Sequence, residues 1–292
     1  SAALGGLTGD KNLALTNTTS GALALNVGAN GSTNTFSGVL SGTGSLVKSG
    51  TGTLTLTGTN TYTGITTITQ GAIATPLLAN GGANSGIGKA SSAAGSLVLN
   101  GGTLRYTGSS ASTDRLFTIG TAGATLDSSG VGALAFTNTG NLALSGSNTA
   151  RTLTLTGSLA QANLLRPNLG NNGTGATSLV KTGAGNWTLA GTNTYTGGTT
   201  VAAGSLILGD GTTNGSILGN ITLNGGTFDF NPAASTTIAF GGAGSVIGGT
   251  GNGDLRFDGG NNAATTVISG THTYVGTTTI GSGTLRLSST GV

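Results

Sequence analysis

The sequence predicts an all-β chain wound as a parallel β-solenoid, and three observations predict it. Apolar and polar residues alternate in short stretches, turn-forming residues interrupt those stretches every 8–12 positions, and one 28-residue segment recurs. Alternation with period two is the signature of a strand that buries one face.

The alternating stretches lie at 13–15, 23–25, 54–56, 97–99, 134–136, 142–144, 153–155, 221–223, 228–230, 255–257 and 285–287. Thr, with 55 of the 292 residues, fills many outward positions, where its β-branch suits a pleated surface. The 58 Gly supply tight corners, helped by Asn, which tolerates positive φ. Strands of three to six residues cannot each bury a face alone, but coiled rung upon rung they share one aliphatic core. The twelve aromatics (one Trp, four Tyr, seven Phe) are few for a globular core and enough for a narrow solenoid. At roughly 20–25 residues per coil and about 4.8 Å between rungs, the chain would make about a dozen coils over about 60 Å. The stretch 158–169 comes closest to a helical pattern, but Pro167 and the Gly-Asn cluster after it limit any helix to two turns. Asn-Gly-Gly at Asn100 and Asn224 supports the competing reading, hairpins of an antiparallel sandwich or barrel. In the solenoid, Leu54, Leu56, Trp187, Leu189, Leu223, Phe228 and Phe230 are expected to be buried, with the Thr between them more exposed.

The recurrence is the strongest signal. Residues 46–73 read LVKSGTGTLTLTGTNTYTGITTITQGAI and residues 179–206 read LVKTGAGNWTLAGTNTYTGGTTVAAGSL, without a gap. A third copy, shortened at its start, is 268–285, ISGTHTYVGTTTIGSGTL, in which His272 takes the place of Asn60 and Asn193. Extrapolated backwards, it would begin at 258. A second unit recurs as GSLVLNGGTLRY at 95–106 and GNITLNGGTFDF at 219–230. The copies are spaced irregularly along what is expected to be one continuous solenoid segment over 1–292.

The pattern L-V-K-[ST]-G-x-G-x-[LW]-T-L-x-G-T-N-T-Y-T-G resembles the autotransporter-associated β-strand repeat (the passenger-associated transport repeat) of bacterial autotransporter passengers and large surface proteins. The resemblance implies a right-handed parallel β-helix at the cell surface or outside the cell. It identifies no effector activity. The third copy departs from it by lacking the Lys-Thr-Gly start and carrying His272.

Composition excludes several chemistries. Without Cys there is no disulfide, redox pair, iron–sulfur cluster or thiolate zinc site, and one imidazole cannot build a multi-His centre. Charged residues are 6% of the chain, and the ten cations form no run, so no nucleic-acid surface is expected. No apolar run approaches the length of a membrane helix, so this segment is not expected to insert in a membrane. The absent initiating Met suggests a mature chain or an excised segment.

Catalytic motifs are sparse. A nucleophile elbow and a GxGxxG are absent, and Gly88-Lys89 is followed by Ala90 where a phosphate loop needs Ser or Thr. A Ser-His-Asp triad would have to use His272, which more simply reads as a turn residue bonding to a neighbouring coil. The local carboxylate candidate is Asp254-Leu255-Arg256-Phe257-Asp258, where Asp254, Arg256 and Asp258 would share an outer face as a charge ladder. Catalysis there would need another carboxylate, such as Asp229, stacked on a neighbouring coil. Residues 248–254 resemble a calcium nonapeptide with its Asp displaced, a single defective copy that reads as a Gly-rich corner. The Thr run at 53, 55, 57, 59, 61 and 63 suggests the Thr rows of ice-binding solenoids, and reads more simply as outward β-formers. Tyr62, Tyr195 and Tyr274 share one repeat position and are expected to cover a turn rather than stack on sugars.

The expected function is a non-catalytic structural segment of a bacterial surface protein: a stalk, adhesin scaffold or fibre subunit. No catalytic, metal or cofactor residue is assigned. The alternatives are a polysaccharide-binding or polysaccharide-cleaving β-helix and an ice-binding solenoid. Neither end shows a polar or helical cap, so the expected partners are further coils of a longer chain or end-to-end copies in a filament, with surface glycans as candidate ligands.

Overall fold

The computed structural model describes residues 1–240, 245–258 and 264–288. The expected start of the third copy at 258–263 lies mostly outside the described residues, as do Ser289 and Thr290 after the last alternating stretch. The chain divides into two compact units, Ser1–Gly146 and Ser147–Val292.

In the first unit, Ala2–Leu4, Ala24–Val27, Ser45–Lys48, Thr66–Ile68, Leu97–Leu99, Thr118–Ile119 and Ala143–Leu144 pair in that order. A second face stacks Asn34–Phe36, Thr53–Leu56, Ala72–Thr75, Thr103–Tyr106 and Ala124–Ser128. In the second unit, one face stacks Arg151–Thr156, Thr177–Lys181, Thr199–Val201, Ile221–Leu223 and Ile247–Gly248. Another stacks Ala162–Leu165, Asn186–Leu189, Ser205–Leu208, Thr227–Phe230, Leu255–Asp258 and Thr278–Ser282. A third stacks Thr237–Phe240, Thr265–Ser269 and Thr284–Ser288. Every one of these ladders is parallel, so each unit is a parallel β-solenoid. Among the described residues, antiparallel contact is confined to isolated bridges such as Thr16–Ala22 and Asn60–Ser85.

The Asn-Gly-Gly segments are corners rather than hairpins. Leu97–Leu99 and Thr103–Tyr106 flank one, Ile221–Leu223 and Thr227–Phe230 the other, and in each case the two flanking strands belong to different ladders. The turns use Gly101 at φ 94° and Gly225 at φ 115°, which a side chain would strain. The stretch 158–169 holds the strand Ala162–Leu165 instead of a helix. Helical geometry among the described residues is limited to the 3-10 turn Ala94–Ser96.

The core is aliphatic with aromatic inserts. All seven residues expected to be buried are buried, each at 2% exposure or less. Thr188 departs from the expectation for Thr. It faces outward yet is buried, because its register partners Leu164 and Ile207 flank it on the coils before and after. Phe230 stacks on Phe257 one coil later with centroids 5.3 Å apart.

Coil length varies more widely than the sequence suggests. The pairs Asn186–Ser205 and Leu46–Thr66 each bracket a short coil, whereas Thr66–Leu97 brackets a much longer one. That long coil carries a large loop over 76–96, and a buried Arg115 organises it. Its Nε donates to Ala79 O (3.0 Å), Nη1 to Ala90 O (2.8 Å) and Nη2 to Gly88 O (3.0 Å), with longer Nη2 bonds to Asn80 O and Ala83 O (both 3.4 Å), so one guanidinium ties five carbonyls of the loop.

Candidate functional site

Each of the first two repeats closes one coil upon itself, and the third shares the pairing of second strand with fourth. In the first two, the first strand pairs with the third (Leu46 with Thr66, Leu179 with Thr199), and the second with the fourth (Thr53 with Ala72, Asn186 with Ser205, and in the third copy Thr265 with Thr284). The recurring pattern therefore specifies a complete turn of the solenoid with both rungs in register.

The repeat's polar residues build that turn. Lys48 and Lys181 sit in phase with the inward Leu46 and Leu179 and are buried. Lys181 Nζ donates to Thr182 O (2.7 Å), Gly183 O (2.8 Å) and, one coil on, Ala203 O (2.9 Å). Lys48 Nζ does the same for Ser49 O (2.7 Å), Gly50 O (2.7 Å) and Gln70 O (3.4 Å). An ammonium has three donors, and here all three are spent on backbone carbonyls of two successive corners. Burial pushes the Lys181 ammonium down to about 8 and lowers that of Lys48 as well. The Gly two positions later has positive φ in both copies (71° at Gly50, 67° at Gly183), and a Cβ there would lie 1.9 Å from Gly28 O or 2.5 Å from Gly157 O.

The Asn position reaches back one coil. Asn60 Oδ1 accepts from Leu40 N (2.8 Å), and Asn193 Oδ1 from Leu169 N (2.9 Å). In the third copy His272 Nδ1 accepts from Ile247 N (3.0 Å), so the imidazole substitutes for the amide as an acceptor. The Tyr position bonds to the Thr four residues on: Tyr62 to Thr66 (2.7 Å), Tyr195 to Thr199 (2.6 Å), and Tyr274 to Thr278. Tyr62 and Tyr195 are wholly buried, which raises both phenols above the usual tyrosine range, and neither offers a ring to a sugar.

The structure brings Asp229, Arg256 and Asp258 together. Asp229 and Arg256 are register partners on adjacent coils, with Arg256 Nε 4.0 Å from Asp229 Oδ2 and Arg256 Nη2 2.5 Å from Asp258 Oδ2. Asp229 is buried, its Oδ1 has no hydrogen-bond partner among the described residues, and burial with the nearby Asp258 charge pushes its carboxyl up to about 6. That is a range suited to a general acid, but the group lies beneath the surface, and Asp258 is occupied by Arg256. Asp254 stands apart: its Oδ1 accepts from Thr277 N and Thr277 Oγ1, both at 2.8 Å, pinning the next coil. The Gly-rich stretch before it turns a corner at Gly249, φ 138°.

The Thr run does not become a row. Only Thr53 and Thr55 lie on a strand, and the column through Thr55 reads Thr35, Thr55, Ala74, Arg105, Asp127. The column through Thr200 reads Thr154, Val180, Thr200, Thr222, Gly248. Arg105 and Asp127 form a further cross-coil ion pair, at 2.6 Å. Sequence reasoning passed over Lys48, Lys181 and Arg115. The available signal was parity for the two lysines, which alternate in step with buried leucines; Arg115 carries no such pattern.

The passenger-associated-transport-repeat family matches residues 46–74, 179–208 and 261–287, so its third match begins ahead of the copy at 268–285. Over 131 residues, 45% of the chain, the sequence is 43% identical to the adhesin BmaC autotransporter of Brucella suis biovar 1 (strain 1330). That match spans 4% of the relative's length. No solved structure matches the chain.

Proposed function

We propose, for a chain that carries three passenger-associated-transport repeats, that it is part of the surface-exposed passenger of an autotransporter and acts there as a non-catalytic adhesin scaffold. The observation that carries this reading is how the repeat spends its polar side chains. The lysine, the Asn or His, and the Tyr–Thr pair all hold the coils together, leaving the pattern no reactive group for a substrate. The relative named an adhesin supports the surface location and the adhesive role. Surface glycans are the ligand class to test first. The mixed outward columns speak against ice binding, which needs aligned threonines.

Two measurements test this. Antibody labelling of intact cells should detect the chain, and protease added outside should remove the label. The purified chain, incubated with a panel of bacterial and host polysaccharides, should release neither reducing ends nor unsaturated products. Labelling only after permeabilisation would refute the location, and cleavage above background would refute the non-catalytic role.

A further inference from the structure

The unit Leu-Asn-Gly-Gly-Thr occurs twice, at 99–103 and 223–227, and both times it turns a corner between two ladders. In an Asn-Gly pair the side-chain amide is open to attack by the following backbone nitrogen, because Gly carries no Cβ to hinder the approach. The two copies differ in what the next coil does to them. Asn100 is half-buried, its Oδ1 accepts from Ala122 N (3.0 Å), and Gly101 N donates to Gly123 O (2.8 Å). The corner at 120–123, itself closed by Gly123 N donating to Gly120 O (3.0 Å), thus holds both the amide that would be attacked and the nitrogen that would attack it.

After Asn224 the next corner, 248–253, runs differently. A Cβ on Gly251 would lie 2.7 Å from Asn224 Cα, so this corner presses on the backbone of Asn224 and leaves its side chain uncovered. Asn224 and Gly225 are exposed, and among the described residues neither the Asn224 side chain nor Gly225 N has a hydrogen-bond partner. The other Asn-Gly pairs are held as Asn100 is. The side-chain oxygens of Asn30, Asn80, Asn172 and Asn214 accept from the backbone N–H groups of Ser32, Asp114, Asn148 and Ala233. At Asn252 it is the following nitrogen that is engaged, Gly253 N donating to Gly251 O (2.8 Å).

We propose that Asn224 is a site of spontaneous deamidation, singled out by the corner that follows it one coil later and not by its local sequence. Gly225 N attacks Asn224 Cγ; the new C–N bond closes a succinimide, the Cγ–Nδ2 bond breaks, and Nδ2 leaves as ammonia with the proton that Gly225 N gives up. Water then opens the ring at either carbonyl, giving aspartate or isoaspartate. The product puts a carboxylate on an exposed corner of a chain that has only seven acidic residues. In its isoaspartate form it also adds one backbone atom between the rung that ends at Leu223 and the rung that begins at Thr227. The modification needs only water, and it is independent of what the surface of the solenoid binds.

The test compares the two identical units within one chain. The folded protein is incubated in mildly alkaline buffer, and conversion at each Asn is followed by peptide mapping, with electron-transfer fragmentation to separate isoaspartate from aspartate. Conversion at Asn224 is expected to run at least tenfold faster than at Asn100. In urea, which releases both units from their corners, the two rates should agree within about twofold. A folded-state ratio below tenfold, or no conversion at either residue, overturns the proposal. So does a tenfold difference that persists in urea, which would place its cause in sequence outside the shared unit.

Discussion

Replacing Lys181 by Met keeps the length and apolar stem of the side chain and removes the ammonium that three carbonyls share. At about 2 kcal/mol for each part-buried, charge-assisted bond lost, the loss is about 6 kcal/mol. Against it stands relief of the ammonium's desolvation. The fall from 10.5 to about 8 is worth about 3 kcal/mol, at about 1.4 kcal/mol per pH unit. The net expectation for Lys181→Met is a destabilisation of about 3 kcal/mol, felt in the coil that contains it, because repeat structures lose stability coil by coil. Lys48→Met should cost less, since its third bond is stretched to 3.4 Å. Trp187, the sole tryptophan, is buried one strand after Lys181 and its Nε1 donates to Thr156 O, so its fluorescence during urea unfolding reports this region directly. A pH series supplies an independent arm. Between about 8 and 10.5 the folded chain has released the Lys181 proton while the unfolded chain keeps it, so stability rises with pH across that window, more steeply in the wild type than in the variant. Beyond the ordinary tyrosine range the slope reverses, because Tyr62 and Tyr195 hold their protons only when folded. An unchanged or higher urea midpoint for Lys181→Met would refute the reasoning that the ammonium's bonds outweigh its burial.

Asp229→Asn should stabilise the protein by up to about 2 kcal/mol at neutral pH, since the folded carboxyl binds its proton up to about 6 and ionising it under cover is unfavourable. The wild type should accordingly lose stability as pH rises from about 4 to 6, and the variant should not; parallel curves in thermal melts would contradict this. Tyr195→Phe should cost about 1 kcal/mol for the buried bond to Thr199. Tyr274→Phe should cost almost nothing at its half-exposed site, an order that chemical denaturation of the two variants checks. His272→Asn should fold with the wild type's midpoint in chemical denaturation, because either side chain can accept from Ile247 N. A clearly lower midpoint for the variant would show that the imidazole does more than accept this bond.

The solenoid itself was legible because its core alternates openly: Leu54, Leu56, Trp187 and Leu189 declare which side faces in, and repetition removes the ambiguity of a single short strand. The Asn-Gly-Gly corners show the limit. The choice between hairpin and corner depends on which strand lies alongside, and that information sits a full coil away in the chain. Lys181 was readable in principle, because a lysine in step with Leu179 must either break the pattern or be paired, yet its three acceptors are backbone atoms that no sequence pattern marks. Arg115 and Asp229 were harder still. Arg115 serves a loop that precedes it by 25–36 positions, and Asp229 points outward by parity but is roofed over on the adjacent coil.

The unequal coils have an evolutionary consequence. Strand registers fix the ladder, and the peptide between rungs does not count towards it, so lengthening a loop from about 9 to about 21 residues adds less than about 1 kcal/mol of closure entropy. The carbonyls gathered by Arg115 are enough to offset that. New surface loops can therefore be inserted into the slack coils and diversified without disturbing the rungs on either side. The first two repeats are the opposite case: their coils are short, a lysine staples both corners, and a glycine admits no Cβ, so they have no room for insertion. Insertions are thereby directed to the slack coils rather than to these.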